Sequence, residues 1–201
     1  MQPSRAVEQG MRSMRTLSNH AYMHHEAIID FWFNEIEPKF WWKKDSEFDR
    51  LIADRFLGVH NAVTKCELYI WRDSPLGRLA EVIVLDQFSR NIYRGTPLSF
   101  AYDPLALALA QEAITAKANQ SLGPDQKAFL YMPFMHSESP AIHEIAMELF
   151  KEPGLESNLE FEIRHKAIID RFGRFPHRNE ILGRQSTEVE TSFLKEAGSS
   201  F

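Results

Sequence analysis

The sequence predicts an all-α fold, and three observations carry that expectation. Apolar residues recur at three- and four-residue spacings along the chain, the strict alternation of a strand appears nowhere convincingly, and four prospective helix starts place proline directly after a turn or capping residue. Those starts are Ser74-Pro75, Asp103-Pro104, Gly123-Pro124 and Ser139-Pro140. A Ser or Asp oxygen accepts a bond from the orphan amides of a first helical turn, and proline then sits where its missing N–H costs nothing.

Taken in order, the first helix is expected over 24–37, where Ile28, Trp32 and Ile36 fall four apart, as do Ile29 and Phe33. Phe31 lies on another face, so this helix is apolar nearly all round and is expected to be buried, and Pro38 ends it. The second begins after Asp45 or Ser46 and carries Phe48, Ile52, Phe56, Val59 and Val63 on one stripe. After Pro75, Leu76, Leu79 and Ile83 form a ladder with Ala80, Val84 and Phe88 beside it. The helix after Pro104 is rich in Leu and Ala, which have high helix propensity. Further helices follow Pro124 and Pro140, and another spans 156–172, closed by Gly173. The last opens at Thr187, with Glu190 three residues on as in a capping box, and runs to Gly198. About eight helices joined by short loops, with no Gly- or Ser-rich linker, imply antiparallel hairpins stacked in series as one domain over 24–201.

Composition agrees with this picture. At 201 residues the chain fits a domain prior of ~150 residues, and fifteen Phe, four Trp and five Tyr argue for a dense core rather than disorder. Residues 1–23 lack the apolar stretch of a secretory signal and read as a flexible N-terminal extension, while no apolar run reaches membrane-spanning length. Cys66 is the one cysteine, which favours a reducing compartment and a cytoplasmic location. The net charge of −5 disfavours nucleic acid and anionic lipid as general partners. That charge is uneven: six Lys or Arg between Arg164 and Arg184 face only Asp170 and Glu180, a local +4 that leaves −9 elsewhere.

Three polar stretches stand out against these apolar helices. In 85–95, Asp86 and Arg90 are four apart with the acid N-terminal, so they can pair on one helix face, and Asn91 follows. This is either a structural ion pair or an arginine held rigid toward a ligand. In 131–138, Pro133 bends or ends a helix, after which His136 and Glu138 could face a cleft. In 171–184, Gly173 and Pro176 stiffen the backbone around Arg174, His177, Arg178 and Asn179. If Pro176 opens a helical turn, its free amides and the guanidinium groups of Arg174 and Arg178 suit a phosphate or carboxylate, with His165 on the preceding helix. The alternative is a solvated basic turn. Glu162 and His165 make one Glu-x-x-His pair, but a di-iron bundle needs two, and no other Glu has His three residues on. No HExxH, phosphate-binding glycine loop or G-x-S-x-G elbow occurs, so the residues call for no metal or cofactor. Phe31-Trp32-Phe33 and Phe40-Trp41-Trp42 read as core packing.

These blocks, with the opening Asp30-Phe31-Trp32-Phe33, resemble the bacterial family known as DUF924 over 24–194. The resemblance implies an all-helical, tetratricopeptide-like right-handed superhelix and carries over no reaction. Two departures are visible: Ser89 stands where the family often has Pro, and Met135 where it often has Glu.

Three functions are compatible with these residues. The first is a pocket for a small anion, with hydrolytic or transfer chemistry possible: Arg90, Arg174 and Arg178 bind charge, Asp86 and Glu138 orient them, and His136, His165 or His177 moves protons. The second is a helical scaffold holding a protein or peptide partner in a concave groove, on fold analogy. The third is a set of polar ties between helices.

Overall fold

The computed structural model describes residues 24–199; the extension expected over 1–23 lies outside them, as do residues 200 and 201. Eight α-helices succeed one another among the described residues: α1 (His25–Asp30), α2 (Ser46–Val63), α3 (Pro75–Ile83), α4 (Asp103–Thr115), α5 (Pro124–Met135), α6 (Pro140–Leu149), α7 (Glu156–Phe172) and α8 (Glu188–Phe193). None of these residues forms a strand, so the all-α expectation holds. Two helices run on through a turn of π-helix. For α1 this is Phe31–Glu35, and for α3 it is Val84–Phe88 followed by a short α-segment, Ser89–Ile92.

Each proline start is a helix start, but the caps differ from one another. Ser74 Oγ accepts the Gly77 N–H at 3.0 Å, and Asp45 Oδ1 accepts the Glu47 and Phe48 amides at 3.1 and 3.2 Å. Thr187 and Glu190 close the capping box expected from their spacing. Ser139 makes no side-chain cap, and Asp103 is the first residue of α4 rather than its cap. The expected last helix is shorter than its pattern, stopping at Phe193 and continuing as turns through Gly198.

The core forms around α3 and its extension. Leu79, Ala80 and the run Val82, Ile83, Val84, Leu85 are wholly buried, because this segment packs against α1, α2, α4 and α5. Each such Leu, Val or Ile side chain contributes about 1.5–3 kcal/mol by leaving water. Gly77 permits the approach: a Cβ there would overlap the Trp71 carbonyl. Phe31, Trp32, Phe56, Phe88 and Phe129 fill the space between helices, with Phe31–Phe56 centroids 4.9 Å apart and Trp32–Phe129 edge to face at 5.5 Å. The second aromatic block is less buried, and Trp42 remains 62% exposed, one face lying against Phe129. Beyond this core, α5, α6 and α7 pack as successive neighbours. A smaller cluster of Ile168, Ile169, Phe175 and Phe193 fastens α8 and the 173–178 segment to α7. That second cluster carries the third polar stretch back to the first two.

Candidate functional site

The π-turn of α3 places a carboxylate where an uninterrupted α-helix would not. An extra residue per turn re-aims the side chains that follow it, and such turns recur at functional sites. Asp86 sits in this one, wholly buried. Its Oδ1 lies 2.7 Å from His136 Nδ1 and 3.0 Å from Arg90 Nη1, while Oδ2 accepts the Gln87 Nε2 proton at 2.6 Å. Burial alone would raise this carboxyl, but Arg90, His136 and the hydrogen bonds from His136 and Gln87 hold it below the usual carboxylate range. Against an ionised Asp86, neutral His136 carries its proton on Nδ1 and donates it to the carboxylate. Burial, then the Arg90 charge, lowers the His136 pKa despite Asp86 beside it.

Arg90 reaches further. Its Nη1 donates to the Asp86 main-chain oxygen at 2.7 Å, and Nη1 and Nη2 grip Asp103 Oδ1 and Oδ2 at 3.0 and 3.1 Å. Arg178 arrives from the turn Pro176–Arg178, which forms as its proline predicts. Its Nη1 donates to the same Asp103 Oδ2 at 3.2 Å and its Nη2 to the His136 carbonyl at 3.0 Å. Phe100 and Phe175 both lie against this guanidinium, each centroid 4.6 Å from Cζ. Burial and the Arg90 charge push the Arg178 pKa down to about 10, and its Nε is buried without a hydrogen-bond partner. Two guanidinium groups therefore converge on one carboxylate oxygen beside an Asp–His pair. Side-chain exposure rises from 1% at Asp86 to 16% at His136, 15% at Asp103 and 19% at Arg90, so the cluster has a buried floor and a partly open rim.

A second layer holds the turn. Glu138 Oε1 accepts the Phe175 amide at 2.8 Å, Glu138 grips Arg184 through both oxygens, and Arg184 Nη2 donates to the Phe175 carbonyl at 3.1 Å. Phe175 is thus fixed at both ends of its peptide unit, with the rings of His165, His177 and His143 at 5.6, 5.5 and 6.2 Å. His165 donates from Nδ1 to Phe161 O at 2.8 Å and its ring lies 6.4 Å from that of His136. Burial holds His165 down at about 3 and, with the Arg178 charge, His177 at about 4, so both are neutral near pH 7. His143 donates from Nε2 to Ser137 O at 2.8 Å and meets Glu162 Oε1 at 2.7 Å, both side chains fully buried, and burial raises the Glu162 pKa.

The structure therefore brings together Asp86, Arg90, His136, His177 and Arg178 from all three predicted stretches and His165 from α7, with Glu138 behind them. The other predicted residues point elsewhere. Arg174 pairs with Glu190 through Nε and Nη2 at 2.7 and 2.8 Å and also holds Gln185 O, so its guanidinium serves α8. Asn91 donates to Asp49 beside Arg94, and Asn179 donates to Ser186 Oγ. Glu138 orients Arg184 rather than Arg174 or Arg178. The amides of Arg178 and Asn179 are bonded within the turn, to Phe175 O and Pro176 O. The local +4 is mostly cancelled at long range: Lys166, Arg174, Arg178 and Arg184 all hold carboxylates.

Sequence reasoning missed Asp103, taken for a cap, and His143, which carries no motif. Its long-range partner Glu162 had been weighed only as half of a metal pair. It also missed His60, fully buried on α2 with Nε2 2.8 Å from Ser89 Oγ and a pKa lowered to about 4 by burial. Among the described residues, no three His, Cys, Asp or Glu side chains group as a metal site.

No curated protein matches the chain. A solved structure, a protein of unknown function (ATU0120) from Agrobacterium tumefaciens, is 40% identical and superposes with a TM-score of 0.82, over 86% of this chain and 97% of that one. Residues 28–198 match the bacterial protein family of unknown function DUF924, and the chain belongs to that family.

Proposed function

We propose that the protein binds one small anionic group, a phosphate or a carboxylate, at the Arg90–Arg178 pair. The observation that carries this reading is the convergence of two guanidinium groups on a single oxygen of Asp103, Arg178 buried beneath it and Arg90 and Asp103 partly exposed. Planar forks matched to oxyanions are what arginine supplies at such sites, and Asp103 displays the shape the clamp fits. The neighbouring Asp86–His136 pair supports acid–base chemistry on the bound group: Asp86 fixes the Nδ1–H tautomer, which leaves Nε2 to accept or return a proton. Hydrolysis or group transfer is the chemistry this arrangement serves. The test is a thermal-shift screen of phosphates, carboxylates and nucleotides against wild type and Arg178→Gln. A shift confined to anions and lost in the variant supports the reading, and identical responses count against it.

A tetratricopeptide-like superhelix holding a peptide is the second reading, supported by the serial packing of α5, α6 and α7 and by exposed Ile145, Phe161 and Ile163 on α6 and α7. It predicts protein partners that are lost when these side chains are truncated, and no dependence on Arg178. The exposed single thiol, Cys66, supports a reducing, cytoplasmic setting for either function.

A further inference from the structure

His143 and Glu162 tie α6 to α7, and both side chains are fully buried. Both nitrogens of the imidazole are engaged. Nε2 lies 2.8 Å from the main-chain oxygen of Ser137, which can only accept, so Nε2 carries a proton. Nδ1 lies 2.7 Å from Glu162 Oε1. A neutral ring with its proton on Nε2 presents a bare lone pair there, and an ionised carboxylate presents another. Lone pairs at that distance repel, so a further proton must lie between Nδ1 and Oε1.

We infer that Glu162 keeps its proton at neutral pH and donates it to Nδ1 of His143, so that this one proton latches the Ser137 turn to α6 and α7. Burial places it on the carboxyl rather than the ring, since an imidazolium–carboxylate pair would desolvate two charges for the same hydrogen bonds. Glu162 Oε2 is also buried with no hydrogen-bond partner, which is a lighter burden for the carbonyl oxygen of an acid than for a carboxylate. Burial raises the Glu162 pKa against the pull of His143 and Lys166, in the same direction. Lys166, one turn along α7, is itself shared by Glu144 of α6 and Asp170. From the 173–178 segment the uncharged Phe175 ring faces His143, and from the end of α5 the Ser137 carbonyl does. His165 follows Glu162 by one turn, its ring 6.4 Å from that of His136.

The latch has a defined way to open. When Oε1–H gives its proton to solvent, the neutral ring is left with one N–H for two acceptors. That proton serves the Glu162 carboxylate from Nδ1 or the Ser137 carbonyl from Nε2, and one of the two ties is lost. Ser137 lies between His136 and Glu138, so alkaline pH loosens the stretch that carries both. The inference stands whether or not an anion binds at the Arg90–Arg178 pair.

Nitrogen NMR of the full chain with labelled histidine tests where the proton sits, because protonated and bare ring nitrogens resonate far apart. At pH 7 His143 is expected to show a protonated Nε2 and a bare, hydrogen-bonded Nδ1. Two protonated nitrogens mean an imidazolium, and a protonated Nδ1 with a bare Nε2 means an ionised Glu162; either overturns the assignment. Glu162→Gln keeps the shape and offers Nδ1 an amide proton, but it cannot ionise. Unfolded wild type releases the Glu162 proton above the ordinary glutamate range while the folded chain holds it, so this group's contribution to stability is lost as pH rises. The folding constant of Glu162→Gln relative to wild type should therefore rise about tenfold per pH unit from pH 5 to 7, and level where folded wild type gives the proton up. Groups common to both proteins, the other histidines included, cancel in that ratio. A ratio level from pH 5 upward overturns the latch. If Glu162→Gln does not fold, the wild-type nitrogen resonances decide alone.

Discussion

His136 Nδ1 and Asp86 Oδ1 lie 2.7 Å apart across fifty residues of chain, one just past the end of α5 and the other on the π-turn that extends α3. Removing the acid's charge leaves the Arg90 guanidinium, most of it buried, short of one of its two carboxylates. Asp86→Asn is therefore expected to cost about 3–5 kcal/mol of folding stability. Urea denaturation measures this directly, and a loss below about 1 kcal/mol would show that the pair does not hold α3 to α5.

Glu138 has a different task, since it ties the Phe175 amide and Arg184 together without touching the Arg90–Arg178 pair. Glu138→Gln should cost about 1.5–3 kcal/mol, the worth of hydrogen bonds to a charged group. Hydrogen exchange at the Phe175 amide should quicken selectively. Unchanged protection there would mean that the turn is held by the Ile168–Ile169–Phe175–Phe193 cluster alone.

Arg174, one of three arginines that the sequence offers as anion ligands, is instead held by Glu190, whose pKa the hydrogen bonds from Arg174, and then those at Thr187, lower to about 2. Arg174→Ala should lower the melting temperature by loosening α8 and leave any anion response at wild-type size. An anion response lost in Arg174→Ala but retained in Arg178→Gln would move the site to the α7–α8 groove.

The contrast between Arg174 and Arg178 shows how far the sequence can be read. Helix starts at Ser74-Pro75 and Thr187, and the closure of α7 at Gly173, are local chemistry, so they are visible in a few adjacent residues. The stretches 85–95, 131–138 and 171–184 are visible in the sequence as polar residues set among apolar helices, but that they meet is not. Which arginine reaches the cluster was not visible, because it depends on Glu190 standing sixteen residues from Arg174 and Asp103 standing seventy-five from Arg178. Asp103 itself was hidden by a sound local reading: Asp before Pro does mark the start of α4, but its carboxylate meets arginines from elsewhere in the chain. The π-turn at Val84–Phe88 has no periodicity of its own, and nothing local announced His143 or His60.

His60 and His165, both buried, and the half-buried His177 set the response to acid. Burial lowers His60 and His177 to about 4 and His165 to about 3, against an ordinary value of 6.5. The unfolded chain thus binds protons at pH values where the folded chain does not, and stability falls as pH drops through 6.5. The fall continues until the folded-state values are passed, at up to about 1.4 kcal/mol per pH unit for each histidine. Denaturation midpoints from pH 7.5 to 4.5 should show this slope, and His60→Phe should make it shallower. A flat profile over that window contradicts the neutral, buried state assigned to these rings.

Gly77 is a packing constraint with a sharp test. A methyl group there meets the Trp71 carbonyl, which belongs to backbone and cannot swing aside. Gly77→Ala should destabilise by at least about 2 kcal/mol even though alanine is the better helix former. A neutral or stabilising substitution would show that the 69–73 turn yields readily.

The most direct measurement for the anion site is the melting temperature of wild type and Arg178→Gln, with and without phosphate or sulfate. A ligand at a hundred times its dissociation constant adds about 2.7 kcal/mol to the folded state, ample for a visible shift. A rise with either anion in wild type, absent in Arg178→Gln, is the predicted result. Equal rises in both proteins, or none in either while Arg178→Gln is merely less stable, would make the cluster a structural tie between helices and contradict the account.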